Sequence, residues 1–115
     1  MQETPPGQRK AVVAYRLMAV VARRRVRELA RNTSNLVWTD HIKERMEERG
    51  IDSEAVLRVL RDGDVEEEPT ETNTPGDWKV KMVRKMGNGR VAGVVTVLVQ
   101  NNRLVLKTAE WEDRR

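Results

Sequence analysis

The sequence predicts an α+β fold in which helices come first and an antiparallel sheet follows. Apolar residues recur at helical spacing over much of residues 9–62. From residue 78 onward they alternate with polar ones or run continuously between short turns, which is typical of strands. A run of helices followed by a run of strands places the helices on one face of the sheet. We expect one long basic helix, two short helices, and then a meander of three or four strands.

The N-terminal part is expected to contain a tail and the long helix. Residues 1–8 hold two prolines, a glycine and no apolar run, which predicts disorder. Residues 9–35 are predicted to form an amphipathic helix to about residue 31 and then a polar loop. One arc of this helix is apolar and contains Ala14, Tyr15, Met18, Ala22, Val26, Leu29 and Ala30. The opposite arc is basic and contains Arg16, Arg23, Arg27 and Arg31.

Two short helices are predicted next from their caps. The Thr-Asp pair at 39–40 can cap the first, because both side chains accept backbone N–H bonds. That helix should end at Gly50, since glycine suits the left-handed position after a helix. The Asp-Ser pair at 52–53 caps the other, whose apolar side chains at 56, 57, 59 and 60 form one face and which Gly63 terminates.

The sheet is predicted from alternation and turns. Val65 could start a short edge strand, and the polar segment 66–77 is expected to be a loop. Residues 78–83 alternate with the period of a half-buried strand. The continuous apolar run 91–99 predicts a central strand covered on both faces. The rest of the meander comprises a Gly-Asn-Gly hairpin turn at 87–89, an Asn-Asn turn at 101–102 and a last strand at 104–109.

Composition excludes several kinds of site. The 115 residues suit a single domain. There is no cysteine and one histidine, which excludes disulfides and thiolate sites and argues against zinc. We therefore expect no metal and no cofactor. No run is apolar enough to span a membrane, and Arg16 interrupts the stretch 11–22 that a signal peptide would need. We expect a soluble, cytoplasmic protein.

Charge is segregated along the chain. Residues 1–38 carry eight basic side chains against two acidic ones, residues 39–77 five against thirteen, and residues 78–115 nine against three. Two explanations are open. The acidic helices can pair with the basic helix inside the protein. Alternatively, the basic parts form a surface for a polyanion such as RNA.

The segment 41–51 is the most distinctive stretch. His41, Arg45 and Arg49 follow each other at intervals of four, which places them on one stripe of a helix. The run H-x-x-x-R-M-x-x-R-G-I, with a second helix and a valine-rich meander after it, resembles the DUF4258 family of unknown function. It is more distantly similar to toxins of the BrnT and RelE types. The resemblance covers about residues 39–110 and predicts one α+β domain over residues 38–112.

The resemblance implies a RelE-like fold shared by metal-independent ribonucleases of toxin systems. Such a nuclease needs an acid or base and cations that hold the phosphate. His41 could supply the proton transfer, because histidine is the residue type whose unperturbed pKa lies near neutrality. The predicted catalytic residues are His41, Arg45, Lys81 and Thr108, and Glu110 could join them. The predicted RNA-binding residues are Arg49, Lys79, Lys85, Arg16, Arg23 and Arg27. By strand period, the three lysines share one sheet face, whereas Arg84 points to the other.

Each of these assignments has a structural alternative. His41 could be a simple packing contact, and Arg45 and Arg49 could pair with glutamates of their own helix. Strand lysines often protect a solvated sheet face, and Trp78 and Trp111 can pack without stacking on bases. The arginine arc could bind RNA, dock on the acidic second helix or hold an acidic protein such as an antitoxin or immunity protein. The sequence thus leaves two functions, a metal-independent toxin-type ribonuclease or a non-catalytic module that binds RNA or protein.

Overall fold

A computed structural model of the chain describes residues 17–112, in which helices cover one face of a mixed sheet. The helices in this part are α1 (Ala19–Ala30), α2 (Asp40–Arg49) and α3 (Ser53–Asp62), with one turn of 3-10 helix at Thr33–Asn35. The strands are β1 (Leu36–Trp38), β2 (Asp64–Val65), β3 (Thr70–Glu71), β4 (Trp78–Lys85), β5 (Val91–Val99) and β6 (Arg103–Trp111). The predicted α+β class and the order of helices before the meander are confirmed.

The sheet is larger than the predicted meander of three or four strands. Its order is β1-β6-β5-β4-β2, and β3 also pairs with β4. The strands pair in antiparallel fashion except β1, which lies parallel to β6 with Leu36 opposite Leu104. The segment 66–77 was predicted to be a loop throughout, and β3 corrects this. Because β1 and β3 have only three and two residues, no alternation can reveal them in the sequence.

Local signals explain where the short helices begin and end. Thr39 Oγ1 accepts a hydrogen bond from the Ile42 amide at 3.2 Å, and Asp52 Oδ1 accepts one from Ala55 at 2.8 Å. Gly50 adopts a left-handed φ of 67°, as predicted. Gly63 also follows a helix but has an extended backbone with φ of −81°.

Gly63 is a glycine for a different reason from the predicted one. A β-carbon at this position would lie 2.7 Å from the Val83 carbonyl oxygen and would also collide with the Val59 carbonyl oxygen. Both are backbone atoms that cannot turn aside. Gly63 therefore allows the end of α3 to approach β4 closely.

The core lies between the helices and the inner face of the sheet. On β4 and β5, the buried side chains include Val80, Met82, Val94 and Leu98, which belong to one face by register. α2 lies against β6, and α3 lies against β4 and β5. The helical side chains that are fully buried are Ala22, Val26, Ala30, Ile42, Val56, Val59 and Leu60. The hydrophobic effect of this layer is the main stabilising contribution.

Helix α1 is part of the same core. Its Ala22, Val26 and Ala30 have no exposed surface, as the predicted apolar arc requires. Met18 was also placed on that arc, but it is 54% exposed, whereas Leu17 is buried. The helix starts at Ala19, so the predicted tail 1–8 and the first part of the predicted helix, with Arg16, lie outside the described residues.

The outer face of the sheet has no helix on it among residues 17–112. By register, it presents a row of valines and the lysines of β4, whereas the large apolar side chains of β6 point inward. The central position predicted for β5 is confirmed. Its predicted cover on both faces is not found in the described part of the chain, where only the inner face is packed.

A β-bulge in β6 changes which side chains reach the outer face. Leu106 pairs with Thr96 and Thr108 pairs with Val95, so Lys107 is an extra residue. Ahead of the bulge Leu104 and Leu106 point inward, and after it Ala109 does so. The bulge therefore moves Thr108 from the inner to the outer face.

Candidate functional site

The helix that carries the distinctive motif is fixed to β6 at both ends. Thr39 Oγ1 donates to the Leu106 carbonyl at 2.7 Å, just ahead of the first turn of α2. At the other end, Arg49 Nη1 donates to the Ala109 carbonyl at 3.2 Å, and Trp111 Nε1 donates to the Arg49 carbonyl at 2.7 Å. Helix α2 therefore runs along the part of β6 that β1 leaves free.

The three basic residues of the motif have different surroundings. His41 is exposed and has no hydrogen bond or ion pair within the described part of the chain. Arg45 Nη1 lies 2.7 Å from Glu48 Oε1, one turn away. The Arg49 side chain donates a hydrogen bond to the Ala109 carbonyl. The two arginines of the stripe thus have structural partners, and His41 has none among residues 17–112.

Lys81 lies in a half-buried ion-pair cluster on the outer face. Its Nζ is 3.0 Å from Glu112 Oε1 and 3.2 Å from Glu66 Oε1. The Glu112 side chain is only 8% exposed, and its carboxylate lies over Gly93, where a β-carbon would be 2.7 Å from Oε2. Burial lowers the pKa of Lys81, but the hydrogen bonds and charges of Glu112 and Glu66 outweigh it, so the pKa is raised above its ordinary value of 10.5.

The structure brings some predicted catalytic residues together and leaves others apart. Lys81 and Thr108 flank Val95 on the same face, about 10 Å apart across two strand spacings. His41 and Arg45 belong to α2, which packs against β6, whereas Lys81 is on β4, two strands away in the sheet. Glu110 pairs with Gly93 and shares the outer face with Thr108.

The predicted RNA-binding lysines lie on the same face of β4. Lys79 pairs with Val97 and Lys85 with Val91, so both share the outer face with Lys81, as the strand period predicts. Arg84 points the other way and pairs with Ala92. Lys79 and Lys85 are exposed at opposite ends of the strand, with the neutralised Lys81 between them.

The arginines of α1 line a surface cleft. The cleft holds about 370 Å³ and is lined by Val20, Arg23, Arg24, Arg27, Glu28 and Arg31. Arg23 and Arg27 contact Asp64 Oδ1 at 3.1 and 3.3 Å, and Arg27 also donates to the Gly63 carbonyl. Arg24 and Arg31 are exposed and have no partner among residues 17–112. We call this set of residues the arginine cleft.

Reciprocal arginine contacts fasten α1 to α3. Arg27 donates to backbone carbonyls at the end of α3, and Arg61 of α3 donates to the Ala30 carbonyl at the end of α1 at 2.8 Å. Cations at helix C-termini also interact favourably with the helix dipole. Among residues 17–112, the partners of the α1 arginines are thus the end of α3, Asp64 and Asn102, to which Arg25 donates at 2.9 Å, and not the acidic helix α2.

The tryptophans have packing roles. Trp78 is buried on the inner face, and the guanidinium carbon of Arg90 lies 4.3 Å from the centroid of the Trp111 ring. In the described residues there is no group of three or more acidic, histidine or cysteine side chains that could hold a metal ion. No helix in the same part of the chain is long and apolar enough to cross a membrane.

Sequence reasoning missed Glu112, which comes after the predicted last strand at 104–109. The available signal was Gly93 in the middle of a valine-rich strand, because a glycine there often marks the close approach of another group. It also missed Asp64, the partner of the α1 arginines. Nothing local in the sequence indicates that pairing, since 41 positions separate Arg23 from Asp64.

The family model of DUF4258, a domain of unknown function, matches residues 38–111. The chain belongs to the DUF4258 family. The match begins in β1 and extends to the end of β6, and α1 precedes it. No curated protein and no solved structure matches the chain.

Proposed function

We propose that this DUF4258 protein is a non-catalytic RNA-binding module that holds the RNA backbone in the arginine cleft. The observation that carries the proposal is the charge of the cleft, which is lined by four arginines and one glutamate. Arg23 and Arg27 share Asp64, and Arg24 and Arg31 have no partner among residues 17–112, so they remain available to phosphate. A cluster of guanidinium groups is suited to phosphate, because each presents several donors in a planar fork. RNA is an abundant polyanion of the cytoplasm, where we propose that the protein acts.

The cleft is rigid enough to bind without large ordering costs. Ala22, Val26 and Ala30 fix α1 in the core, and Arg27 and Arg61 tie its last turns to α3. From Arg23 to Arg31 the helix rises about 12 Å, which allows contacts with more than one phosphate. Side chains on a preorganised helix lose less entropy on binding than those of a mobile segment.

The surroundings of the predicted catalytic residues favour binding over catalysis. A general acid or base acts only within hydrogen-bond reach of the atom that it serves. Lys81 is held by two carboxylates, and Arg45 is held by one. These pairs reduce the positive charge that would stabilise a phosphate transition state. An RNA bound in the arginine cleft requires none of those residues.

The test measures binding of a labelled single-stranded RNA to the full chain by fluorescence anisotropy between about 50 and 200 mM salt. We expect the R24E/R31E variant to lose at least about tenfold in affinity. Its slope of log affinity against log salt should fall by about 1.4, since each lost single-strand phosphate contact removes about 0.7. Arg24 and Arg31 have no internal partner in the described residues, so the fold should survive.

The control is the variant K43E/R58E. Lys43 and Arg58 are exposed on α2 and α3, so the variant changes net charge by the same amount away from the cleft. It should retain nearly all the affinity of the wild type. An equal loss of RNA affinity in both variants would mean that binding depends on net charge and not on the position of the arginines. No binding by the wild type at the lowest salt would end the proposal.

The second candidate is a metal-independent ribonuclease of the RelE type. His41 favours it, because its imidazole is exposed and has no partner in the described part of the chain, and Arg45 lies one turn away on the same stripe. Total RNA incubated with the purified chain should then be cleaved by the wild type and remain intact with H41A. Growth arrest on induced expression should also disappear in H41A. Intact RNA with the wild-type chain would remove this candidate and leave the binding proposal standing.

A further inference from the structure

One carboxylate lies among the arginines of the cleft. Glu28 is on α1 and lines the cleft together with Arg24 and Arg31. It stands four residues after Arg24 and three residues before Arg31, so the three side chains form one stripe of the helix with Glu28 in the middle. All three residues are exposed. A polyanion that is held by these two arginines therefore lies beside a negative charge.

Glu28 does not pair with its arginine neighbours. In the part of the chain that the structure describes, it has no hydrogen bond or ion pair, although an arginine lies one turn away on each side. The same spacings do give ion pairs on the other two helices, where Arg45 contacts Glu48 at 2.7 Å and Arg58 contacts Glu54 at 3.9 Å. The Glu28 carboxylate is therefore available to accept a hydrogen bond from a ligand in the cleft.

The other carboxylate near the cleft, Asp64, has different surroundings. Its Oδ1 lies 3.1 Å from Arg23 and 3.3 Å from Arg27, so two cations balance its charge. Asp64 stands behind these arginines and does not belong to the residues that line the cleft. Glu28 is thus the carboxylate that a backbone bound in the cleft would meet.

A carboxylate distinguishes the backbones of RNA and DNA by their hydrogen-bond donors. An ionised carboxylate only accepts hydrogen bonds, and so do the phosphate and ring oxygens of a nucleic acid. The DNA backbone therefore offers Glu28 no donor, and its phosphates repel the charge. The RNA backbone carries a 2′-hydroxyl on each ribose, and this group can donate. A carboxylate at this position disfavours DNA and gains a hydrogen bond from RNA, which is how an unpaired charge produces specificity.

We propose that Glu28 selects RNA over DNA by accepting a hydrogen bond from a ribose 2′-hydroxyl. The inference rests on the proposed binding of RNA in the arginine cleft. Arg24 and Arg31 hold the phosphates on either side of one ribose, and Glu28 accepts from the hydroxyl between them. Neighbouring positions of such a stripe are about 5–6 Å apart at their β-carbons, so the three side chains reach adjacent groups of one strand. Carboxylates accept from ribose hydroxyls in the same way in dinucleotide-binding folds.

The first test compares RNA and DNA strands of one sequence, with uracil in both, by fluorescence anisotropy with the full chain at about 50 mM salt. We expect the wild type to bind the RNA at least about fivefold more tightly, because DNA cannot make the hydrogen bond to the charged acceptor. E28A should bind the two strands about equally, with tighter binding of DNA than the wild type. The substitution removes no contact within the described residues and introduces the best helix former, so the fold should survive.

The second test separates the hydroxyl group from the shape of the backbone. A strand with fluorine in place of each 2′-hydroxyl keeps an RNA-like sugar conformation but has no donor at that position. The wild type should bind this strand as weakly as DNA, and E28A should bind all three strands about equally. Equal affinity of the wild type for RNA and for the fluorinated strand would overturn the proposal, because sugar conformation would then account for the preference.

E47A is the matched control for both tests. Glu47 is exposed on α2 and has no partner among residues 17–112, so the variant changes net charge by the same amount away from the cleft. It should keep the wild-type ratio of RNA affinity to DNA affinity. An unchanged ratio in E28A, or equal binding of RNA and DNA by the wild type, would overturn the role of Glu28 and leave RNA binding by the cleft standing. An absence of RNA binding by the wild type would overturn both proposals.

Discussion

The two faces of the sheet are made from the same residue types but have different surroundings. Val94 on the inner face has no exposed surface, whereas its neighbour Val95 on the outer face is partly exposed. The inner face is packed by three helices, and the outer face carries an ion-pair cluster and a row of partly exposed valines. A valine-rich strand therefore does not reveal by itself which of its side chains stabilise the fold. Variants that affect one face and spare the other can measure the difference.

The largest effect is expected where the helical layer approaches the sheet most closely. G63A adds a β-carbon against two backbone carbonyl oxygens, of Val59 and Val83, and α3 must move away from β4. We expect a loss of about 3 kcal/mol in the free energy of unfolding, measured by urea denaturation. G87A is the control, because a β-carbon there meets nothing within 4 Å, and its stability should match the wild type. Similar urea midpoints for G63A and G87A would show that the contact between α3 and β4 accommodates the added β-carbon.

A smaller effect should distinguish the faces within one strand. V94A removes two methyl groups from the fully buried side, and we expect it to cost about 2 kcal/mol in the free energy of unfolding. V97A removes the same atoms from the outer face and should cost less than about 1 kcal/mol, because part of the side chain is already in water. The measurement is urea denaturation. Equal losses would mean that the outer face is packed as well as the inner one.

The inner side of the molecule could largely be predicted from the sequence, because its signals are local. Thr39 and Asp52 cap helices within three residues of their bonding partners, and Gly50 needs a conformation that few other residues adopt. Helical spacing in α1 correctly placed Ala22, Val26 and Ala30 in the core. Alternation in β4 correctly assigned its two faces. Each of these inferences depends on residues close to one another in the chain.

The outer side could not be predicted in the same way, because its features depend on distant pairs. The position of β1 is set by pairing with β6, almost 70 residues later. The partners of Lys81 are Glu66 and Glu112, on either side of it in the chain. The bulge at Lys107 did leave a local signal, since the apolar spacing changes from two residues to three between Leu106 and Ala109. The proposed roles of His41 and Arg45 await the cleavage and growth tests.

The smallest expected effect isolates the ion-pair cluster of the outer face through its pH dependence. The pKa of Lys81 is raised in the folded chain, so its charge stabilises the fold fully below the unfolded pKa of 10.5, and this contribution is lost as pH rises through the folded pKa. Stability of the wild type should therefore fall above pH 10.5 more steeply than that of K81M, as measured by urea denaturation at a series of pH values. K85M is the control, because Lys85 is exposed on the same face at the end of β4 and its alkaline limb should match the wild type. If the stability of K81M fell above pH 10.5 as steeply as that of the wild type, Lys81 would not be the source of the fall. The outer face would then contribute to stability through its valines and not through this ion-pair cluster.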